Sequence, residues 1–316
     1  RFLQTHFMRY CHVSSGHTGI NNYFSITNTE KVINSLRSVN SSNTSIFCAD
    51  FSSLFTNLPH DVVRENMWML MDILFKNSGK DYVAVNNYTV KYDSGGCLKR
   101  RLYSKDDLKY ILDFILKESF AVYCGKIYKQ DRGIPQGNNA SPQIADLTLA
   151  MMEYRYVSQK VKIQHPLSHS LGRTFRYIDD LLHVSSRADK FVEATSDMYH
   201  SSLTLERTNR DAGDTAFLDL LIRPQQDGTL NLSLYNKTDD YNFEVIRYPH
   251  RDSCIPRRIG LNTLHGEILR IYRNCSRYSE FQERVRALLV HFTRIGYTKL
   301  EISEQFMRTV SKNPNV

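Results

Sequence analysis

The chain has 316 residues, of which 41% are hydrophobic and 23% charged, and its formal net charge at pH 7 is +8. These values are typical of a folded globular protein, and they exclude a disordered tail, a collagen-like fibre and a small disulfide scaffold. The length predicts two domains, or one large domain with an appendage. No apolar run approaches the roughly 18 residues that a membrane span needs. The six cysteines form no CxxC pair, which favours a reducing, intracellular compartment. The chain opens without Met, so we expect a fragment.

Mixed helices and strands are expected in the first third of the chain. The apolar run over 45–49 predicts a buried strand that ends at Asp50, and helical spacing follows Pro59. The segment 82–103 alternates loosely and is expected to form one or two hairpins. A helix is expected to begin at Ser104, which is a suitable cap.

The middle of the chain continues the same mixture. A hairpin is expected over 122–128, followed by a glycine-containing loop over 133–137 and a helix that begins near Ser141. Another hairpin is expected over 174–184, with Asp179 at its tip.

The last part of the chain changes from mixed patterning to helices. A helix is expected over 188–199, and strands are expected near 217–222 and 230–235. Beyond Arg257 the apolar spacing is helical to the end, so we expect a domain boundary near Asp240.

The excess of positive charge lies in this helical segment. Residues 247–316 contain 13 Lys and Arg against 6 Asp and Glu. Such a segment favours a surface that binds a polyanion, most often a nucleic acid. The alternative from charge alone is a solvated basic helix face.

Three acidic residues lie in apolar surroundings in the sequence, where ordinary solvent-exposed carboxylates are not expected. Asp50 follows an apolar strand, whereas Asp179 and Asp180 are adjacent within an apolar hairpin. Neighbouring carboxylates repel each other, and burial disfavours both charges. Because divalent cations relieve both penalties, the pattern indicates two hard cations held on neighbouring strands, as in two-metal phosphoryl transfer. An Asp-Asp pair by itself is more often an ordinary turn.

Three sequence blocks resemble the motifs of reverse transcriptases, in the same order and with similar spacing. Asp50-Phe51-Ser52-Ser53-Leu54-Phe55 resembles motif A, Gly133-Ile134-Pro135-Gln136-Gly137 resembles motif B, and Tyr177-Ile178-Asp179-Asp180 resembles motif C. Within that family the likeness is to the Penelope-like and telomerase-related branch, and it runs from about Tyr23 to Arg308. Segments that resemble the later motifs and the thumb of that branch lie at 217–220, 234–243 and 269–276.

The resemblance implies a metal site with catalytic carboxylates. Asp50 and Asp179 would be the principal ligands of two Mg²⁺ ions, for which Mn²⁺ would substitute. The carbonyl of Phe51 would assist, and Asp180 would complete the catalytic set.

The resemblance also implies nucleotide contacts. Phe55 matches the aromatic gate that stacks under the sugar and collides with a 2′-OH; the alternative is a phenylalanine of the core. Gln136 and Gly137 match the loop that touches the incoming nucleotide and template, where glycine permits close backbone approach. Tyr177 would lie against the primer end, and Leu218 would belong to the primer grip.

Arginines of the basic segment are expected to bind phosphates without reading the base sequence. The candidates are Arg257, Arg258, Arg270, Arg273 and Arg277. The last three are spaced three and four residues apart, which predicts one shared helix face. The alternative is a set of ion pairs with neighbouring glutamates.

Together these features imply an α+β fold: a right-hand polymerase palm, which is an antiparallel sheet with packed helices, followed by an all-α thumb. We expect part of the fingers over 1–44, the palm with inserted fingers elements over 45–240, and the helical thumb over 241–316. The expected reaction is RNA-directed DNA synthesis, with an RNA template, a DNA or RNA primer, their hybrid duplex and deoxynucleoside triphosphates as partners. No membrane partner is expected. The nucleus is the expected location, with the mitochondrion as the alternative.

Two departures from the family pattern keep alternatives open. No basic residue before Asp50 matches the cations that hold the triphosphate, and no general-acid lysine is evident near 203–207. A domesticated, inactive relative that binds RNA is therefore the first alternative. An RNA-dependent RNA polymerase is the second, although the bulky Phe55 disfavours it. A metal-dependent nuclease would need a glutamate and histidine cluster that we do not find.

Overall fold

The computed structural model describes residues 1–39, 44–96, 100–209, 213–243 and 245–314. The chain divides into two units: unit 1 is Arg1–Thr27 with Ser45–Arg207, and unit 2 is Asn28–Thr44 with Thr208–Val316. The boundary expected near Asp240 therefore lies inside unit 2. The division into fingers, palm and thumb stays a prediction.

Unit 1 contains seven of the described helices and nine of the described strands. The helices are α1 (Phe2–Thr18), α3 (Leu54–Asn57), α4 (His60–Ser78), α5 (Lys105–Lys117), α6 (Ser141–Lys162), α7 (Ser168–Leu171) and α8 (Ala188–Met198). The strands are β1 (Ser45–Ser52), β2 (Tyr82–Val85), β3 (Val90–Asp93), β4 (Arg101–Ser104), β5 (Phe120–Tyr123), β6 (Lys126–Lys129), β7 (Thr174–Tyr177), β8 (Asp180–Ser185) and β9 (Thr204–Arg207).

The main sheet of unit 1 has four strands in the order β7-β8-β1-β9. Each neighbouring pair is antiparallel. β1 lies in the interior of the sheet, between β8 and β9, and its apolar residues Phe47, Cys48, Ala49 and Phe51 are all buried. The predicted strand before Asp50 and the predicted hairpin over 174–184 are confirmed.

α6 is the central helix of unit 1, and apolar side chains are buried on most of its surface. It packs with α4 in one hydrophobic core, to which α1 and α8 also contribute. Two acidic residues of α6, Asp146 and Glu153, are buried as well. A carboxylate buried this deeply needs a charged or hydrogen-bonding partner.

Two smaller sheets lie between α4 and α6 along the chain. β3-β2-β4 forms a three-stranded antiparallel sheet, and β5-β6 forms a two-stranded hairpin. The predicted helix cap is confirmed, since Ser104 and Asp107 form a capping box at the start of α5. All eight strand residues of the β5-β6 hairpin are exposed.

Unit 2 combines a small sheet with four of the described helices. Its elements are α2 (Glu30–Leu36), β10 (Thr215–Phe217), β11 (Leu220–Pro224), β12 (Leu230–Leu234), α9 (Arg257–Asn274), α10 (Tyr278–Arg294) and α11 (Lys299–Lys312). The sheet order is β10-β11-β12. The strand expected near 217–222 is confirmed in part: β11 covers its second half, but a turn at Leu218, whose φ is 55°, separates it from β10.

The helical pattern beyond Arg257 is confirmed by α9, α10 and α11. Leu264, Ile268, Val285 and Phe292 are buried together in the core of unit 2. In the part of the chain that the structure describes, no helix is both long and apolar enough to cross a membrane.

Candidate active site

A row of four side-chain positions crosses the main sheet where β1 and β8 carry their carboxylates. Tyr177 is paired with Asp180, Asp180 with Asp50, and Asp50 with Glu206. Residues that face each other across antiparallel strands project from the same face of the sheet. The row therefore brings together Asp50, Asp180 and Tyr177, three of the residues singled out in the sequence. Glu206 is an addition that the sequence did not reveal, because β9 is adjacent to β1 only in the folded chain.

Asp179 lies beside this row, in the two-residue turn between β7 and β8. Ile178, the other residue of the turn, has φ 55°. The backbone N–H of Phe51 donates a hydrogen bond to the carbonyl of Asp179 over 3.0 Å. The turn is thereby attached to β1, the strand that carries Asp50.

The segment that follows β1 lies against the predicted nucleotide loop. The N–H of Ile134 donates to the carbonyl of Phe55 over 2.6 Å, and the ring nitrogen Nε2 of His60 is 2.7 Å from the carbonyl of Gly133. A Cβ built on Gly133 would lie 2.8 Å from the Cα of Thr56, closer than real contacts allow. The structure therefore brings Phe55, which is half-buried, close to the loop over 133–137.

The rest of this loop is open to solvent. Gln136 and Gly137 are exposed, and Gly137 has φ 95°. The Oγ of Ser141, in the first turn of α6, donates to the carbonyl of Pro135 over 2.5 Å. The loop is thus held by hydrogen bonds at Gly133, Ile134 and Pro135, while the two residues expected to touch a nucleotide remain accessible.

Arg176 lies beneath the carboxylate turn and is completely buried. Its Nε and Nη2 donate to the two carboxylate oxygens of Glu153, at 2.5 and 3.2 Å. Its Nη1 donates to Asp146 Oδ1 at 2.8 Å and to the carbonyl of Ile178 at 3.0 Å, and Nη2 also donates to the carbonyl of Asp146 at 3.1 Å. These five contacts match the five N–H donors of a guanidinium.

The acidic partners of Arg176 have further donors. Tyr199 donates its hydroxyl to Glu153 over 2.9 Å, and Gln4 donates its amide to Asp146 over 2.7 Å. Burial raises the pKa of Tyr199 well above its ordinary value, and the carboxylate of Glu153 adds to this, so the hydroxyl remains a donor. Burial also opposes the charge of Arg176, but its ion pairs with Glu153 and Asp146 prevail and raise the pKa of Arg176.

The sequence contains a signal for this network in two acidic residues of α6. Asp146 and Glu153 are seven residues apart in a helix that is otherwise apolar on the same side. Two acids at this spacing share a helix face. A pair of buried acids predicts a buried cation, and Arg176 supplies it.

The carboxylate row suits a hard cation, because Asp50 and Asp180 offer oxygen ligands from neighbouring strands. Within the described ranges, no group of three or more His, Cys, Asp or Glu side chains is arranged to hold a metal ion. Magnesium commonly uses only one or two protein carboxylates and takes its other ligands from water and substrate phosphates. The residues present therefore fit a magnesium site that a substrate would complete.

The predicted arginine face of α9 is wrong in part. α9 ends at Asn274, so Arg277 lies beyond it, at the start of α10, and its guanidinium donates to Gln225. The reason is a break in the helix at 275–277, which simple spacing does not reveal. Arg270 is on α9 but forms ion pairs with Asp219 at 2.9 Å and Glu267 at 3.2 Å.

Other arginines of unit 2 are more accessible. Arg257 and Arg258 are exposed in the first turn of α9, and Arg273 is exposed near its end. Arg273 also lines a cavity of about 790 Å³ that is bordered by α2 and α9. Arg37, at the end of α2, lines the same cavity. Sequence reasoning assigned no role to Arg37, because it is an isolated basic residue before Asp50 that matches no cation of the family pattern.

Known proteins match the chain in fold only. No protein-family model and no curated protein matches the sequence. Apo telomerase from Candida tropicalis is 16% identical and superposes with a TM-score of 0.54, covering 98% of this chain and 51% of its own. Telomerase from Candida albicans, solved with a TWJ fragment of telomeric RNA, is 14% identical with a TM-score of 0.54, covering 91% of this chain and 44% of its own.

A viral protein superposes on the chain with a lower TM-score than these two telomerases. The sicinivirus 3Dpol RNA-dependent RNA polymerase is 12% identical with a TM-score of 0.46, covering 92% of this chain and 55% of its own. The chain spans about half the length of the telomerase chains it matches. The likeness to them establishes a polymerase-like fold of mixed helices and antiparallel sheets.

Proposed function

We propose that the chain is the catalytic region of an RNA-directed DNA polymerase that extends a primer 3′-OH by nucleotidyl transfer. The observation that carries the proposal is the row of Asp180 and Asp50 on one face of the sheet, with the Asp179 turn hydrogen-bonded to Phe51 beside it. The polymerase-like fold supports the same reading. Assignment to the Penelope-like branch rests on the sequence motifs.

Asp50 and Asp179, with the carbonyl of Phe51, would hold two Mg²⁺ ions, and Mn²⁺ would substitute. When bound, such ions stabilise the charge on the attacking and leaving oxygens of a phosphoryl transfer. Asp180 adds negative charge next to these ligands. The role of the chain itself is to hold Asp50 and Asp180 on adjacent strands, with Asp179 in the turn beside them, before substrate arrives.

The nucleotide would lie between Phe55 and the loop over 133–137. The hydrogen bond from Ile134 to the Phe55 carbonyl supports this, because it holds the backbone of Phe55 beside the loop. The Phe55 side chain is half-buried and also packs against the core of unit 1. Gln136 and Gly137 are exposed and available to a ligand. Tyr177, paired with Asp180 and 37% exposed, is a suitable surface for the primer end.

Arg257, Arg258 and Arg273 are the arginines that we propose for phosphate binding. Each is exposed on α9. Arg270 and Arg277 already have protein partners, so we expect them to support the shape of this surface. RNA binding also has a precedent in the Candida albicans telomerase, whose solved structure contains telomeric RNA.

Primer extension tests the proposal. A DNA primer annealed to an RNA template, deoxynucleotides and Mg²⁺ should give extended product with the native chain. Asp179→Asn should reduce extension to background, whereas Glu193→Gln, an exposed acid on α8, should leave it unchanged. RNA binding without extension would favour an inactive RNA-binding relative, and extension with ribonucleotides alone would favour an RNA polymerase.

A further inference from the structure

Arg176 is the one side chain of unit 1, among the described residues, whose guanidinium contacts both buried acids of α6 and the backbone of the carboxylate turn. All five of its N–H donors have acceptors within 3.2 Å. Four of these acceptors belong to α6. The fifth is the carbonyl of Ile178, which immediately precedes Asp179.

Ile178 needs such support because its conformation is unfavourable. Its φ of 55° lies in the left-handed region, where a β-branched residue is a rare outlier. Residues held in this way persist when their surroundings determine the backbone from several directions. The side chain of Ile178 packs against the core of unit 1, and its carbonyl is bound by Arg176.

The same network extends to the strand that carries Asp50. Tyr199 donates to Glu153, and its ring lies edge-on to the ring of Phe51, with centroids 4.8 Å apart. The N–H of Phe51 in turn donates to the carbonyl of Asp179. A closed series of contacts thus runs from Arg176 through the turn, across β1 and back through Glu153.

Stability alone does not explain why this arrangement is charged. Replacing a buried ion pair or triad by apolar residues of similar volume is often neutral or stabilising. The network here contains one cation and two carboxylates, all buried. A guanidinium offers something that an apolar group lacks: a planar set of donors that fixes a carbonyl in one orientation.

We propose that Arg176 is a positioning residue that fixes the Ile178–Asp179 turn and so sets the place of the Asp179 carboxylate beside β1. The proposal rests on the proposed polymerase function for its catalytic consequence. Its structural consequence, an ordered turn, is independent of that function. Arg176 acts through Ile178 and contacts no substrate.

Arg176→Lys is the principal test variant. Lysine keeps the positive charge against Glu153 and Asp146, but its donors leave from a single nitrogen and cannot reproduce the guanidinium fork. Tyr199→Phe is the matched control, because it removes a hydrogen bond to Glu153 without touching the carbonyl of Ile178.

The first readout is hydrogen exchange of the peptide that covers 174–185. We expect Arg176→Lys to speed exchange at the turn by about tenfold or more, the factor that corresponds to losing a charge-assisted hydrogen bond. Tyr199→Phe should leave the exchange of the turn close to native. Equal exchange in the two variants would overturn the proposal, whether or not the native chain is active.

The second readout is the Mg²⁺ concentration that gives half-maximal primer extension. Arg176→Lys should raise this Mg²⁺ concentration by about tenfold or more, on the same reasoning. Tyr199→Phe should lower thermal stability but leave the Mg²⁺ concentration unchanged. An unchanged Mg²⁺ requirement in Arg176→Lys would overturn the catalytic part. Lack of extension by the native chain would instead contradict the proposed function, and the exchange readout would still decide the role of Arg176.

A triple variant covers the case in which Arg176→Lys does not fold. Arg176→Met, Asp146→Leu and Glu153→Met together replace the charges by apolar groups of similar size, a change that such networks often tolerate. We expect this variant to fold with fast exchange at the turn. Native exchange in the folded triple variant would overturn the proposal, because the charges would then serve stability alone.

Discussion

Ile134 donates its backbone N–H to the carbonyl of Phe55 over 2.6 Å, and this bond joins the segment after Asp50 to the loop that precedes α6. The two segments are about 80 residues apart in the sequence but form one wall of the candidate site. A change on either side is therefore expected to affect the other.

Gly133→Ala should destabilise this wall. A Cβ on Gly133 would collide with the Phe55 carbonyl and with Thr56, and the φ of 82° adds strain for any L side chain. Gly125→Ala is the control, because Gly125 has a φ of 74° but open space around it. Left-handed strain alone costs about 1–2 kcal/mol, so denaturant unfolding should show a larger loss for Gly133→Ala. Equal losses of unfolding free energy in the two variants would mean that the loop moves away from the new Cβ.

Phe55→Ala should change sugar selection. Removing the ring opens space beside the 2′ position, so ribonucleotide use should rise relative to deoxynucleotide use, by up to about 10²-fold. Competing extension assays with the two nucleotide types measure the ratio. Phe120→Ala, an exposed ring of β5, should not alter it. An unchanged ratio in Phe55→Ala would identify the ring as core packing.

Replacing Arg257, Arg258 and Arg273 by Gln should weaken duplex binding similarly for all sequences. Each lost phosphate contact lowers the slope of log binding constant against log salt concentration by roughly 0.7 to 0.9 in magnitude. The slope of the triple variant should therefore be smaller by about 2 to 3. Binding titrations at several salt concentrations measure this slope. Arg270→Gln should mainly reduce thermal stability, because it breaks the ion pair with Asp219. A flatter salt dependence in Arg270→Gln, with an unchanged slope in the triple variant, would place the phosphate contacts at Arg270.

Glu301→Gln should lower stability at neutral pH more than it does in acid. Hydrogen bonds from Arg251 and from the N–H of Thr298 hold the pKa of Glu301 at about 2, whereas an unfolded glutamate has a pKa of about 4.3. The carboxylate therefore stabilises the fold above about pH 4.3, and this contribution is lost as the pH falls toward 2.

The expected difference at pH 7 is about 1 kcal/mol, since the pair with Arg251 is only partly buried. Gln at this position can still complete the capping box of α11. Denaturant unfolding at pH 7 and pH 3 should show a gap that narrows in acid. Glu304→Gln, an exposed acid on the same helix, should show no such pH dependence.

Sequence periodicity predicted the elements that place the site. The apolar run before Asp50 and the hairpin around Asp179 are local patterns, and both are present. The helix that begins at Ser141 and the capping box at Ser104 are local in the same way. Such features depend on neighbouring residues, so one sequence suffices to find them.

Features that depend on distant contacts were not found. Glu206 becomes a neighbour of Asp50 only when β9 pairs with β1. The turn at Leu218 requires a left-handed leucine, which local preferences do not predict, and its Asp219 is held by Arg270 from α9. The helix α1 was likewise not predicted; its buried residues, Phe7 and Cys11, are few.

The β5-β6 hairpin has a consequence for how the chain behaves at high concentration. Val122 and Ile127 face each other across its two strands and are 74% and 75% exposed. A two-stranded sheet has two outer edges, and an exposed apolar edge is a template for pairing with another chain. Lys126 supplies electrostatic repulsion that opposes such pairing, and added salt weakens this repulsion. Self-association through this hairpin is therefore expected to increase with ionic strength, and Ile127→Lys is expected to raise the solubility limit.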